Sequence, residues 1–444
     1  MALRRRSGQA SRRDFLRRTA GVAAAATVAP AFAAAEEWLD DGGPVAQAGK
    51  RAALGADEPV RIAVIGTGGM GTAHAEALTR LNTEGRTKVR VEALCDVCGP
   101  RLEAAKKKVD AAQGSDTPTY GDHLELLKRP DLHGVLIASP EHWHAQMAED
   151  AIEAGKDVYL EKPMTLNLKD ALRLQKVVRD NPDAILIVGT QFVMTPSYRA
   201  ARDLIAKGAI GKPVWSQTSY CRNSKDGEWN YYEIDPAWKP GVNVDWKRWC
   251  GPLGKADWSP EVFARWRRYR KYSTGIIGDL LVHHMAPTIL ALDVGWPVRV
   301  SATGGHYIDK KMENHDQVNL TVEFEREHTM IVAGSTCNEL GIERVIRGHK
   351  GNLFVGGRNA MLRPERIYAD EIDEREIAAP PGAGANDQDE LRVSWIEAIR
   401  SRQKHPSDVE LGTKVMVIVD LATRSLWQGS SFEYDPVKRK VSKA

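Results

Sequence analysis

Val60-Arg61-Ile62-Ala63-Val64-Ile65-Gly66-Thr67-Gly68-Gly69-Met70-Gly71 is the stretch that decides the fold. Its first six residues are mostly apolar and β-branched, the composition of a short buried strand. A glycine-rich turn follows without a gap, and residues 72–81 then space Ala and Leu at helical intervals. Strand, Gly-x-Gly-x-x-Gly turn and helix in that order form a dinucleotide-binding fingerprint. Gly66 permits the tight turn, Gly68 lets the backbone approach a pyrophosphate, and Gly71 lets helix and strand pack closely. Gly69 and Met70 complete the loop, where the helix N-terminus offers free N–H groups to phosphate.

Further along, a second apolar run, 89–94, ends near Asp96. A carboxylate there accepts hydrogen bonds from an adenosine ribose and repels a 2′-phosphate, which favours NAD over NADP. Asp96 lies 25 residues beyond Gly71, so the connection is expected to be extended. A cap or turn role is the alternative for Asp96, and nearby Arg101 keeps NADP in play. Strand-like runs at 134–139, 157–160 and 184–189 alternate with helical stretches at 143–154 and 168–179. Such alternation implies a doubly wound parallel sheet whose ligands lie beyond the C-terminal strand ends. Ser139, His142, His144, Glu161, Lys162 and Gln191 all fall there and are expected along the cofactor. Two histidines two apart can suggest a metal, but no third ligand has metal-like spacing, so none is expected.

A later helix carries Asp279-Leu280-Leu281-Val282-His283-His284. Residues four apart share a helix face, so Asp279 and His283 can point into one cleft, while His284 is turned by about 100°. An imidazole with an ordinary pKa near 6.5 suits general-base work.

With Gly66 to Gly71, Pro140-x-x-x-His144, Glu161-Lys162-Pro163 and Asp279-x-x-x-His283 in order, the sequence resembles the Gfo/Idh/MocA (glucose–fructose oxidoreductase/inositol dehydrogenase) family from about Val60 to about Tyr434. The resemblance implies an α/β protein: an N-terminal Rossmann doubly wound parallel sheet plus a C-terminal α+β domain with a large, mostly antiparallel open sheet. It implies hydride transfer from a sugar or polyol C–H to NAD. In that scheme His283 takes the hydroxyl proton and Lys162 binds the reacting oxygen and helps place the nicotinamide. Asp279 holds a substrate hydroxyl or orients His283. A His matching His144 lies near the cofactor in the family, and the open sheet face implies a homo-oligomer, a dimer or tetramer. Two other outcomes stay open. Transient oxidation could serve epimerisation or glycoside cleavage, or the fold could bind sugar without catalysis, which intact Lys162, Asp279 and His283 argue against.

Residues 222–272 lack regular periodicity and mix ten Trp and Tyr residues with several Arg, among them Arg222, Arg248, Arg265, Arg267 and Arg268. Such a segment is either functional or a packed surface excursion. Most of its Trp residues are expected to be its own core, and Arg222, Arg265 and Tyr269 are the candidate substrate contacts. Runs at 298–302, 317–324, 329–333, 342–347 and 351–355 read as antiparallel strands, and 389–400 and 412–426 as closing helices.

The N-terminus pairs Arg12-Arg13 with Phe15 and Leu16, then an apolar run, then Ala31-Phe32-Ala33. That pattern resembles a twin-arginine (Tat) export signal, which implies a periplasmic or otherwise exported protein carrying its cofactor out already bound. Whether the signal is cleaved or remains as a tether stays open. Residues 1–33 hold seven Arg and one Asp, a net of +6; the chain is +3, so the rest is +3 − 6 = −3. That balance gives no support to nucleic-acid binding. The composition, 42% hydrophobic and 27% charged, is that of a globular protein. Five cysteines without a second CxxC pair do not make a zinc ribbon; Cys95 and Cys98 are either buried small residues or a redox pair. The expected organisation is signal 1–35, flexible linker 36–57, NAD-binding domain 58–190, substrate-binding and oligomerisation domain 191–434, and tail 435–444.

Overall fold

The apolar run at Val60 forms strand β1 (Val60–Ile65), five of its six side chains buried. The computed structural model describes residues 48–444; the expected signal and most of the linker lie outside the described residues. β2 (Val89–Cys95), β3 (Thr119–Tyr120), β4 (Gly134–Ile137), β5 (Asp157–Leu160) and β6 (Leu186–Val188) join β1 in a six-stranded sheet, ordered β3-β2-β1-β4-β5-β6. Every pair in it is parallel. The strand order reverses between β1 and β4, so a crevice opens beyond their C-terminal ends. Helices Gly69–Thr83, Gly99–Gln113, Glu141–Glu153 and Leu168–Asp180 supply the crossovers.

The second sheet has ten strands, ordered β14-β13-β12-β11-β7-β10-β9-β8-β15-β16. In chain order these are β7 (Pro213–Cys221), β8 (Pro297–Gly305), β9 (Gln317–Phe324), β10 (His328–Ser335), β11 (Val345–Gly348), β12 (Gly351–Phe354), β13 (Ala360–Pro364), β14 (Arg375–Ile377), β15 (Phe432–Asp435) and β16 (Lys440–Lys443). Its pairs are antiparallel except β7 with β10. On β9, Val318, Leu320, Val322 and Phe324 point inward and alternate with exposed residues, which fixes the register because a one-residue slip would expose all four. Helices Val282–Leu292 and Val409–Gln428 cover that apolar face.

Two expectations need correction. The last ten residues are not a free tail: β15 and β16 form a hairpin that extends the sheet edge beside β8. The end of the expected linker is also docked. Gly49 N–H donates to the Glu153 carbonyl, and Arg51 Nη1 lies 2.7 Å from the buried Asp157 carboxylate. Most Trp residues of 222–272 do form a core of their own. Trp246, Trp249, Phe263, Trp266 and Tyr272 cluster with Cys98 from the loop after β2. That cluster seats the excursion against the parallel sheet's crevice.

Candidate active site

The glycine turn explains its own sequence. Gly66 has φ +89°, and a Cβ there would meet the Ala138 carbonyl carbon at 2.7 Å. A Cβ on Gly71 would fall 1.7 Å from the Gly66 oxygen, so helix and strand touch backbone to backbone. At Gly68 and Gly69 a Cβ would meet nothing within 4 Å, because both face open space. That space is a cleft of about 600 Å³, walled by the glycine turn, Met70, Asp96, Arg101 and Ser139. The Ser139 hydroxyl on this wall is buried without a hydrogen-bond partner. A bare backbone turn at a helix N-terminus, an orphaned hydroxyl and a carboxylate at the end of β2 fit a dinucleotide. Asp96 also braces the turn itself. Its Oδ2 accepts from Thr67 N at 2.6 Å and from the Thr67 hydroxyl at 3.2 Å, and its Oδ1 from Cys98 N at 2.8 Å, leaving one acceptor direction on Oδ1. Arg101 is held over the Trp238 and Phe263 rings, at 4.7 and 4.4 Å from their centroids.

The opposite wall comes from the excursion: Tyr232, Trp249, Phe263, Trp266 and Arg267. Arg267 was not singled out by its sequence, since it sits in a Trp-Arg-Arg run with no spacing signal. Its Nε donates to Asp279 Oδ1 at 2.8 Å. Lys162 Nζ donates to the same oxygen at 2.9 Å and to the Asp279 carbonyl at 2.8 Å. Lys162 and Asp279, predicted from separate motifs, therefore meet across the two sheets. Burial alone would raise the Asp279 carboxyl, but Lys162 and Arg267 outweigh it and hold the group well below the usual carboxylate range. A wide π-turn, Ile277–Leu281, carries Asp279 into this position before the α-helix resumes at Val282.

His283 lies one turn further on, buried, with its Nδ1 unpartnered. The Phe192 and Tyr220 rings flank it at 5.8 and 5.9 Å. Burial and the Lys162 charge push its imidazole down to about 3, so it is neutral in the resting site. His284 packs against the same two rings, stacked on Phe192 at 4.7 Å and 5.4 Å from Tyr220, lines the cavity beside them and accepts from Arg344 Nη2 at 3.1 Å.

Several expected contacts lie elsewhere. Glu161 is turned back into the core: His74 Nε2 bonds its Oε1 at 2.9 Å, and Arg392 Nε donates to His74 Nδ1 at 2.9 Å. Burial raises Glu161, but the His74 hydrogen bond and nearby cations outweigh it and hold the carboxyl at about 2. His142 spends Nε2 on the Trp249 carbonyl at 2.8 Å, tying the excursion to the parallel sheet. His144 bridges the Ser139 and Pro163 carbonyls at 2.8 and 2.7 Å. None of the three is on the cleft wall; all brace the loops that are. Gln191 is half-buried at the start of a 3-10 turn, also off that wall. Arg265 holds the Tyr232 carbonyl at 2.9 Å and Tyr269 packs on the aromatic cluster, and neither lines the glycine-turn cleft or the cavity beside Phe192 and Tyr220. Arg222 does line one, with its guanidinium shared between Glu228 at 2.9 Å and the Tyr220 hydroxyl at 3.0 Å. Burial raises both Cys95 and Cys98 thiols, and neither is bonded, which favours inert packing over redox work. No cluster of metal-ligating residues occurs among the described residues.

Residues 60–190 match the model for the oxidoreductase family's NAD-binding Rossmann fold, and 202–434 match that family's C-terminal α/β domain. The chain belongs to the Gfo/Idh/MocA oxidoreductase family. Among its relatives in that family, myo-inositol 2-dehydrogenase of Thermotoga maritima is 31% identical over 154 residues, 35% of this chain and 43% of that protein. The NAD(+)-dependent scyllo-inositol 2-dehydrogenase of Bacillus subtilis is 31% identical over 162 residues, 36% of this chain and 44% of that protein. A glycosyl hydrolase family 109 protein of Shewanella sp. (strain ANA-3) is 29% identical over 239 residues, 50% of this chain and 48% of that protein. The alignments thus span about half the length of these relatives or less. In fold, this Gfo/Idh/MocA chain is similar to levoglucosan dehydrogenase in complex with NADH and levoglucosan, at a TM-score of 0.65 and 19% identity over 85% of this chain and 99% of the other.

Proposed function

We propose that the protein is an NAD-dependent oxidoreductase that removes hydride from a CH–OH carbon of a sugar or polyol. The contact of Lys162 with Asp279, beside the neutral His283 and joined to the wall of the glycine-turn cleft through Arg267, carries this reading. When bound, oxidised nicotinamide supplies the hydride acceptor. An ammonium has three donors; Lys162 spends two on Asp279, which leaves one for the reacting oxygen. Asp279 thereby fixes the direction of that donor. His283 offers an unprotonated nitrogen to the hydroxyl proton. Its weak basicity is sufficient, because a carbinol losing hydride becomes a protonated carbonyl, a far stronger acid than an imidazolium. Trp249, Phe263 and Trp266 keep the cleft wall apolar and limit water. Lys162→Met and His283→Ala proteins should each lose turnover on any sugar the parent oxidises. If both process every tested sugar as well as the parent, the assignment is wrong.

Export and cofactor retention belong to the same proposal. The twin-arginine pattern implies translocation of a folded protein to the periplasm, and the excursion closes the cleft from the side opposite the glycine turn. NAD would then travel bound and be recycled in place. Protein purified without added NAD and then denatured should release nucleotide absorbance; its absence counts against retention. Assembly through the outer face of the ten-stranded sheet into a homo-oligomer is the matching expectation, read by sedimentation.

Transient oxidation is the second reading. It is favoured by the alignment with a glycosyl hydrolase family 109 protein, which covers 50% of this chain. Oxidation at a ring carbon acidifies the adjacent C–H and permits epimerisation or glycoside cleavage with the hydride returned. Net NADH formation in the presence of substrate separates the two.

A further inference from the structure

We propose that a second cavity, beside His283 and apart from the cofactor cleft, is an anion-binding substrate subsite, so that the substrate is a sugar carrying a carboxylate or phosphate. The inference rests on the oxidoreductase reading and names its substrate class. The cavity measures about 490 Å³ and is lined by Phe192, Tyr220, Arg222, Arg344, Arg358 and Asp387, among others. It adjoins the chemistry, because the Phe192 and Tyr220 rings on its wall are the two that flank His283. Those aromatic faces suit the apolar face of a sugar ring.

Its charge is not compensated from within. Three arginines face one carboxylate in the lining. Arg222 is paired with Glu228, but Arg344 and Arg358 make no ion pair among the described residues. Arg344 shares Nη2 between the His284 ring nitrogen at 3.1 Å and the Ser219 carbonyl at 3.5 Å, and its Nε is buried without a partner among the described residues. Among the described residues Arg358 donates only to the Pro380 carbonyl, at 3.1 Å. Glu339 and Glu343 lie on the adjoining groove that shares Arg344, and neither pairs with it. An unpartnered buried guanidinium N–H is costly and is satisfied by an acceptor brought from outside. Arg presents a planar fork that matches carboxylate and phosphate oxygens. Asp387 supplies the complementary feature. One oxygen takes the Thr195 hydroxyl and the other, Oδ1, is buried and unpartnered, an acceptor for a sugar hydroxyl. Cationic forks with one free acceptor describe a ligand that is both anionic and hydroxylated.

The test is calorimetric titration of the NADH-loaded full chain, in which the reduced cofactor cannot accept hydride, with D-glucuronate, D-glucose 6-phosphate and D-glucose at millimolar concentration. One or both anions should bind about tenfold tighter than glucose, the size expected of a charge-assisted hydrogen bond. Preference for glucuronate assigns a carboxylate, and preference for the phosphate assigns a phosphate. Arg344→Met and Arg358→Met should each abolish the preference; the exposed Arg358 makes the second variant safe for folding. Lys162→Met should keep it, since Lys162 is not on this wall. Equal or tighter binding of glucose, no binding of either anion, or a preference that survives both arginine changes overturns the proposal. Because binding is read without turnover, a failed hydride-transfer reading would appear separately, as full activity of the Lys162→Met and His283→Ala proteins.

Discussion

Gly68 and Gly71 are both glycines of one turn, yet substitution by alanine should break different things. Gly68 has φ −64° and ψ −169°, ordinary for any residue, and an added Cβ meets no atom within 4 Å. Two small terms then act on the nucleotide-free fold: alanine is a poorer helix N-cap than glycine, and it has less unfolded-state entropy to lose. Each is under about 1 kcal/mol and they oppose, so the melting midpoint should hardly move. The methyl does enter the space that faces the cleft, where a pyrophosphate must approach bare backbone. An overpacking cost of about 1–3 kcal/mol corresponds to roughly a five- to 150-fold rise in the Kd for NAD. Gly71→Ala differs in kind, since its methyl would sit 1.7 Å from the Gly66 oxygen and 2.9 Å from its carbonyl carbon. Those are backbone atoms, so the helix must shift off β1, and stability should fall by several kcal/mol, on the order of other large overpacking losses. Thermal melts of nucleotide-stripped protein and calorimetric titration with NAD read the two effects apart. If Gly68→Ala binds NAD as the parent does, the cleft is not the cofactor site.

The His283 imidazole, at about 3, loses its neutral form only as pH falls through that value, so the acid limb of kcat/KM should lie below pH 5; a limb centred near 6.5 contradicts the burial argument. Asp279 is held below its unfolded value, so the stability it contributes is present above about pH 4 and is lost as pH falls further. Asp279→Asn should flatten that acid limb in urea titrations and cost about 3–5 kcal/mol at pH 7, because Lys162 and Arg267 lose their shared carboxylate. Glu141 behaves oppositely: burial pushes its carboxyl up to about 8, so its protonated form is favoured in the fold and stability is lost as pH rises through that value. Between pH 7 and 9 the parent should lose about 1 kcal/mol more than Glu141→Gln, whose amide oxygen can still accept the Ser273 hydroxyl; equal losses would mean that Glu141 is already ionised at neutral pH.

What the sequence made legible was whatever is enforced locally. The turn at Gly66 must be glycine because the backbone there has positive φ and lies against Ala138. The parallel sheet was readable because buried strands alternate with amphipathic helices. Glu161 and His142 were misplaced for a definable reason: a strand end gives a residue its position but not the direction of its side chain. Both turn away from the cleft to satisfy buried partners, His74 and the Trp249 carbonyl. Arg267 was invisible because its role depends on where an aperiodic excursion comes to rest. The β15–β16 hairpin was missed because Lys440–Lys443 carries lysines typical of a protected sheet edge, with only Val441 buried.

The polar centre joins the two sheets. Lys162 leaves the end of β5 in the parallel sheet, whereas Asp279 and Arg267 arrive from the segments before helix Val282–Leu292. Lys162 and Arg267 converge on one carboxylate oxygen, Asp279 Oδ1. Arg267 is at the same time a wall of the cofactor cleft. Whatever fills the cleft therefore presses on a residue that sets the Asp279 charge, and Asp279 aims the Lys162 ammonium. Docking of the excursion, closure of the cleft and alignment of the reacting donor are one structural event, so a change that loosens the Trp246–Trp249–Phe263 cluster should weaken NAD binding and catalysis together although none of those rings touches Lys162 or Asp279 by hydrogen bond.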